Sequence, residues 1–234
     1  VSDKVMNATK QLPLDLTFRA ALGREDFLVA PCNEEAVALL DMWPAWPTVS
    51  TVLYGPAGSG KTHLINVWCE TSKARVIRGE DLQNENVPTL VEGATAVAVD
   101  DADLCPDWEA LLHLYNLAKE QGISLLLTAK QPPSRWNIDL RDLDSRLRTA
   151  QVGALRAPEE DFMAALLLKQ FSDRHLSITP DVLAYLLPRL ERSFTAVRDF
   201  VTAVDAESLA ARRKITVPLA GQVLEMLQSQ TKED

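Results

Sequence analysis

The sequence predicts an α/β fold, a parallel β-sheet flanked by helices, followed by a small all-helical domain. Three observations carry this expectation. Strand-like runs alternate with helical patterns as far as Leu155, the order that builds a parallel sheet with both faces covered. Several runs are apolar almost throughout, such as Ser124-Leu125-Leu126-Leu127, as strands buried on two sides are. Beyond Pro158 no strand-like run follows, and the remaining periodic stretches have helical spacing.

Taken in order, residues 1–10 are polar and read as a flexible tail. The expected divisions are a tail over 1–20, an α/β domain over 21–156 and a helical domain over 157–234. A helix is expected at 34–43, then a strand at 48–54 that runs into a glycine-rich loop and a helix at 61–71. Strands at 74–77 and 95–100 follow, then helix 107–121, strand 123–129, helix 142–148 and strand 150–155. Pro158 stands at or just before the start of helix 159–171, a position where its missing N–H costs nothing. Thr179-Pro180-Asp181 supplies an N-cap and a first-turn proline for a helix that stops near Pro188. Helices at 193–213 and 218–227 complete the second domain.

Composition is that of a soluble globular chain, 47% hydrophobic and 24% charged. No apolar run approaches the roughly 18 residues that a membrane helix needs, and no signal peptide is expected from the polar start. Cys32, Cys69 and Cys105 are odd in number and widely spaced. They read as reduced thiols of a cytoplasmic protein, not as a disulfide framework or a zinc site. The net charge of −9 lacks the basic footprint of a protein that holds DNA. The expected partners are other proteins, without sequence-specific DNA binding and without a membrane.

The most specific motif is Gly55-Pro56-Ala57-Gly58-Ser59-Gly60-Lys61-Thr62, which satisfies the P-loop pattern. Gly55, Gly58 and Gly60 let the backbone bend around phosphate with no Cβ in the way. The N–H groups of the loop, Ser59 included, form an anion nest, and the following helix adds the positive end of its dipole. Lys61 is expected to reach the β- and γ-phosphates and the Thr62 hydroxyl to ligate Mg²⁺. The expected ligand is ADP or ATP with Mg²⁺.

Further chemistry sits at strand ends. Ala96-Val97-Ala98-Val99 runs into Asp100 and Asp101. Asp100 is the candidate for orienting the metal or its waters, and Asp101 for positioning the attacking water. Asp103 either joins this cluster or merely starts the loop. After strand 123–129, Thr128 is the favoured polar residue to sense the terminal phosphate or the water, with Lys130 second. Arg146, in Asp144-Ser145-Arg146-Leu147-Arg148, is a candidate finger for a neighbouring subunit's phosphates, or a surface arginine paired with Asp142 or Asp144. A finger supplied in trans accelerates hydrolysis by roughly 10³–10⁵. In Gln11-Leu12-Pro13-Leu14-Asp15-Leu16 the leucines recur at every second position, on one side of an extended strand, and Pro13 discourages helix. That pattern suits a peptide docking into an apolar groove, or an arm packed on its own domain.

Together these pieces resemble the DnaA branch of the AAA+ ATPases, the bacterial replication initiators, and within it the shortened Hda (HdaA) family, regulatory inactivators of DnaA. The resemblance covers nearly the whole chain. It includes the P-loop, the Asp100-Asp101 pair, Ser145-Arg146-Leu147 as the arginine-finger box and Arg213-Lys214-Ile215-Thr216-Val217-Pro218 in the lid. It also includes Glu25–Asn33, which by resemblance lines an adenine pocket with Phe27 and Val29. Gln11, Leu12, Leu14 and Leu16 match the family's motif for the β sliding clamp. The resemblance implies a clamp-bound adaptor that presents Arg146 to ATP held by DnaA, so that hydrolysis leaves inactive DnaA–ADP. The sequence ends at Asp234, and the helix-turn-helix domain that follows the lid in DnaA is expected to be absent. One departure stands out. The family's lid arginine aligns with Phe194-Thr195, and Arg198 lies about one turn further on nearly the same face, where it is the candidate substitute. Preference for ADP or slow intrinsic hydrolysis is the expectation. A homodimer is left open, as are a helicase loader of the DnaC type and, more distantly, a P-loop small-molecule kinase.

Overall fold

In a computed structural model, which describes residues 28–211 and 214–230, the chain forms the expected sheet and helical domain. Gln11, Leu12, Leu14, Leu16 and Phe27 lie outside the described residues, as does Arg213. Strands β1 (Ser50–Tyr54), β2 (Arg75–Arg78), β3 (Ala96–Asp100), β4 (Ser124–Ala129) and β5 (Gln151–Ala154) form one sheet in the order β2-β3-β4-β1-β5. All neighbours are parallel, and central Leu127 is flanked by Val52 of β1 and Val99 of β3.

Alternation along the strands divides the core between two faces. Val52, Val97, Val99, Leu125 and Leu127 pack with α3 (Val87–Val91), α4 (Trp108–Gln121) and α5 (Arg141–Leu147). Leu53, Ala96, Ala98 and Leu126 face the other way, onto α1 (Glu34–Asp41) and α2 (Lys61–Ser72). Both faces are covered, which is why β3 and β4 carry apolar residues at consecutive positions. The exposed residues of β2 mark it as an edge. At the other edge, β5 presses Gly153 on α1, where a Cβ would lie 2.9 Å from Leu39 Cδ1.

Helix ends follow local chemistry. The Asp107 Oδ1 accepts from the N–H of Glu109 at 2.9 Å and of Ala110 at 3.3 Å, capping α4, and Gly122 closes it in the left-handed conformation. Helix α1 stops at Asp41, two residues short of its expected end, because the residue before Pro44 is driven out of the α region. Trp43 and Trp46 instead pack on Trp68, with ring centroids 5.9 and 5.3 Å away. Helix α3 was not expected from sequence. It spans one turn and buries only Val87 and Val91, too short for a periodic signal. Thr179 does occupy the N-cap of α7 (Pro180–Leu186), but its side chain makes no capping hydrogen bond.

Helices α6 (Glu160–Asp173), α7, α8 (Phe194–Ala211) and α9 (Val217–Gln230) build a separate apolar core from Leu167, Phe171, Val197, Phe200, Val201 and Val223. Phe200 is fully buried at the middle of this bundle. Phe200→Ala should cost about 3–5 kcal/mol of unfolding free energy. Urea unfolding reads this directly, and a loss under about 1 kcal/mol would contradict the packing.

Candidate functional site

The sequence motif becomes the turn between β1 and α2. Gly58 and Gly60 have φ of +71° and +95°, which L-residues with a Cβ adopt only under strain. Gly55 N–H donates to the Ala129 carbonyl at 3.1 Å, and a Cβ on Gly55 would lie 2.3 Å from the Leu155 carbonyl. The loop is thus fastened to the ends of β4 and β5. Gly60 caps α2 and leaves the first N–H groups of that helix facing the turn. Lys61, only 7% exposed, donates from Nζ to the Gly55 and Pro56 carbonyls at 2.9 and 3.1 Å. Burial pushes its ammonium pKa down, opposed by Asp101, Asp100 and Asp103. Ser59 is buried, and its hydroxyl oxygen has no hydrogen-bond partner.

At the end of β3 the two carboxylates take different positions. Asp100 accepts from the Thr62 hydroxyl at 2.7 Å through Oδ2 and from the Thr128 hydroxyl through Oδ1. Thr128 in turn accepts the Asp101 N–H at 2.9 Å. Thr128 is fully buried, so its hydroxyl serves the strand ends and not the open cleft. Asp101 has φ +50° and follows directly after the strand. Gly79 backs it, since a Cβ there would lie 2.2 Å from the Asp101 carbonyl. Burial and the neighbouring Asp100 raise the Asp101 carboxyl pKa, while Lys61 lowers it. Asp103 Oδ2 accepts the Lys130 N–H at 3.0 Å and so ties the end of β4 to the turn after β3.

The helical domain closes over this turn. Phe194 N–H donates to the Gly58 carbonyl at 2.8 Å. A Cβ on Gly58 would come within 2.6 Å of Ser193 Cβ, and the Phe194 ring lies 3.6 Å from the corresponding point on Gly60. Phe162 packs edge-on against Phe194, with centroids 5.5 Å apart. Between the two domains lies a cleft of about 580 Å³. Lys61, Thr62, Asp101 and Lys130 line its sheet side, and Leu166, Phe194, Thr195 and Arg198 its helical side. Arg198 donates from Nε to Asp199 at 3.1 Å and its side chain is 65% exposed. Arg146 lies elsewhere, on α5: its guanidinium sits 5.4 Å from the Tyr115 ring centroid and 3.4 Å from Asp142. Arg148 pairs with Asp144 at 2.9 Å.

Residues 159–224 match the family model of the Hda lid domain. The fold as a whole is similar to domain III of the Thermotoga maritima replication initiation protein DnaA. That match has a TM-score of 0.73 at 21% identity over 86% of this chain and 94% of that one. Residues 159–224 thus carry an Hda-type lid domain, and the fold of the chain is like that of DnaA domain III. AMPPCP-bound DnaA from Aquifex aeolicus is similar at a TM-score of 0.65 and 16% identity, over 88% of this chain and 68% of that chain. The fold extends to the RuvB Holliday junction branch migration motor of Thermotoga maritima, with a TM-score of 0.62 and 15% identity over 76% of this chain and 61% of that one.

In that fold, Gly58, Gly60, Lys61 and Thr62 of the P-loop, Asp101 and the lid residues Phe194, Thr195 and Arg198 meet at one cleft, with Asp100 bonded to Thr62. Two placements differ from the sequence expectation. Val29 packs into the core beside α1 and α2, while its neighbour Leu28 lines the cleft, as alternation in an extended segment requires. Thr128 reaches the cleft only through Asp100 and Asp101, whereas Lys130 lines it. Sequence reasoning missed Gly79 and the contact of Ser193 and Phe194 with the loop. Neither follows a motif, and Ser193 shows only as a cap, accepting the Ala196 N–H at 3.0 Å.

The donor set fits a nucleotide with magnesium. The turn presents backbone N–H groups, a buried cation and an unpaired buried serine hydroxyl, all suited to phosphate oxygens. Among the described residues no group of three or more His, Cys, Asp or Glu side chains could hold a metal by itself. A magnesium ion would take protein oxygens from Thr62 and Asp100 and the rest from phosphate and water. No described helix is long and apolar enough to cross a membrane.

Asp101 supplies a test of the electrostatics. Its raised pKa means that the folded chain holds this proton to higher pH than the unfolded chain does. Above that range the ionised carboxylate beside Asp100 costs stability; below the ordinary carboxylate range the cost vanishes. Asp101→Asn, which also tolerates positive φ, should raise Tm at about pH 7, with the gain shrinking toward about pH 4. A thermal-shift series across pH measures this, and an unchanged neutral-pH Tm would refute it.

Proposed function

We propose that this protein is a regulatory adaptor that binds adenine nucleotide, docks on the β sliding clamp and stimulates ATP hydrolysis by DnaA, so restraining replication initiation. The observation that carries this reading is the Hda lid seated on the P-loop of a DnaA-like core. A nucleotide bound with magnesium would supply phosphate charge to the loop side of the cleft. Gly55, Gly58, Ser59 and Gly60 would hold the phosphates through the loop backbone, and Lys61 would turn its buried ammonium to them. Thr62 and Asp100 would face the metal, with Thr128 fixing the Asp100 rotamer. Asp101 is positioned to orient water. Leu28 gives the nucleoside an apolar wall, next to the segment of Phe27 and Val29. Lid residues Phe194 and Thr195 bring no charge to the phosphate end, and Arg198 stands a turn away beside Asp199. Weak or slow intrinsic hydrolysis is consistent with that wall.

Arg146 would act in trans. It lines no part of its own chain's cleft, and its 3.4 Å ion pair with the exposed Asp142 is worth little. Its guanidinium is therefore available to a phosphate on a partner at small cost. The clamp contact would come from Gln11, Leu12, Leu14 and Leu16.

A DnaA–ATP hydrolysis assay with and without DNA-loaded clamp tests the whole reading. The wild-type chain should accelerate hydrolysis only when clamp is present. Arg146→Ala should abolish that acceleration while shifting stability by less than about 1 kcal/mol. Stimulation retained by the variant would show that the finger is another residue. Replacing Gln11, Leu12 and Leu14 together by alanine should abolish clamp pull-down, and unchanged capture would remove the docking assignment.

A further inference from the structure

A row of side chains on α6 lines the lid side of the cleft, and no motif gives it a task. Leu166, Gln170 and Asp173 lie four and three residues apart, so they share one face of the helix. Leu166 is 7% exposed, Gln170 is half-buried and Asp173 is exposed, so the row climbs from the interior of the cleft to its mouth. Polarity climbs with it, from an alkyl group to an amide to a carboxylate. Leu166 lines the cleft together with Leu28 and Phe194. Both polar groups of the row are held by neighbours. Arg174 Nη1 donates to Gln170 Oε1 at 2.8 Å, and Arg174 Nη2 donates to the Thr202 hydroxyl at 3.2 Å. With its oxygen engaged, Gln170 has its amide N–H groups left to offer. Lys169 Nζ donates to both carboxylate oxygens of Asp173, at 3.2 and 2.9 Å, and so orients them. Each oxygen keeps a further lone pair with which to accept. Arg198, which also lines the cleft, pairs with Asp199 and leaves Asp173 to Lys169.

The geometry points to a sugar subsite at the mouth of the cleft, where Asp173 and Gln170 bind the 2′- and 3′-hydroxyls of a ribonucleotide and select it over its deoxy counterparts. The inference rests on the proposed nucleotide reading of the cleft. The phosphates belong at Lys61 and Thr62, and like charge keeps them from Asp173. The flat face of the base suits the apolar side chains of Leu28, Leu166 and Phe194. The sugar is what remains, and its 2′,3′ edge carries neither base nor phosphate. A hydroxyl both donates and accepts. A carboxylate that only accepts and an amide turned to donate, one turn apart on the same helix face, complement a pair of hydroxyls. The 2′-hydroxyl is also the group by which a protein tells a ribonucleotide from a deoxyribonucleotide.

The test is calorimetric titration of the full chain, with Mg²⁺, by ADP and by 2′,3′-dideoxy-ADP. The readout is the ratio of the two affinities, because removing the charge of Asp173 also eases the approach of phosphate for both ligands. Wild-type protein should prefer ADP about tenfold or more, the scale of one hydrogen bond to a charged group. Asp173→Ala should lower that ratio about fivefold or more, and Asp173→Asn, which keeps an accepting oxygen, should lower it less. Gln170→Ala should lower it about threefold. Asp173 is exposed, so its variants should keep the wild-type Tm, and their binding of dideoxy-ADP shows that the rest of the site is intact. Equal affinity of the wild-type chain for both ligands, or a ratio that Asp173→Ala leaves unchanged, overturns the subsite while the nucleotide site stands. Failure of the wild-type chain to bind either ligand overturns the subsite and the nucleotide reading together.

Discussion

At Gly55 a Cβ would strike the Leu155 carbonyl at 2.3 Å, and at Gly58 it would strike Ser193 Cβ at 2.6 Å. Two glycines in one turn are thus hemmed in from opposite sides, by the segment leaving β5 and by the start of lid helix α8. A third, Gly60, lies beneath the Phe194 ring. The rest of the molecule is arranged around this crowding. The sheet sets where the turn begins, because Gly55 is bonded to the end of β4. The lid sets where it ends, because the Gly58 carbonyl accepts from Phe194. A side chain at Gly55 or Gly58 would push one of these neighbours away, and at Gly58 the start of lid helix α8 would have to move with it. Conformation and packing therefore impose the same residue type, independently of any ligand.

The charges follow from that geometry. Three carboxylates converge at the end of β3, and each is put to a different structural use. Asp100 is consumed by two hydroxyls, one from α2 and one from β4, so it links three elements. Asp103 takes the Lys130 N–H. Asp101 is left with its pKa raised and its backbone strained. Strain and a perturbed carboxyl at the mouth of a cleft mark a functional group more often than a structural one. The same crowding explains why Lys61 can be buried at all. Carbonyls of its own loop accept its protons, and three negative groups offset the cost of desolvation.

Much of this was legible in the sequence because strand burial and loop chemistry are local. The runs Ala96–Asp100 and Ser124–Ala129 announce buried parallel strands, and the glycine spacing announces the turn. What was not legible depends on contacts between distant segments. Nothing near Phe194 in sequence says that its N–H will cap a loop far upstream. Thr128 and Lys130 are both polar residues at a strand end, and the preference for Thr128 rested on no physical rule. The fold separates them because β4 ends at Ala129: Thr128 is buried within the strand and bonded to Asp100, while Lys130 stands exposed just beyond it. Val29 and Leu28 exchange roles because adjacent positions of an extended segment face opposite ways. Helix α3 escaped notice because a single turn with a proline carries no period.

The placement of Arg146 completes the argument. An arginine that stacks on Tyr115 and leans on an exposed Asp142 keeps its charge at the surface of α5, where solvent screens it. There it contributes little to stability and nothing to the cleft of its own chain. The cleft, for its part, meets a lid wall of Phe194 and Thr195 where a cation would assist departure of a terminal phosphate. The glycine-rich turn and the Arg146 guanidinium thus lie on surfaces of one molecule that do not meet. In the proposed reading they are the two halves of a hydrolytic arrangement, which a second subunit brings together. In the proposed adaptor that subunit is DnaA, so the nucleotide held here would set the lid and the shape of the surface, while Arg146 does its chemistry in the partner's site.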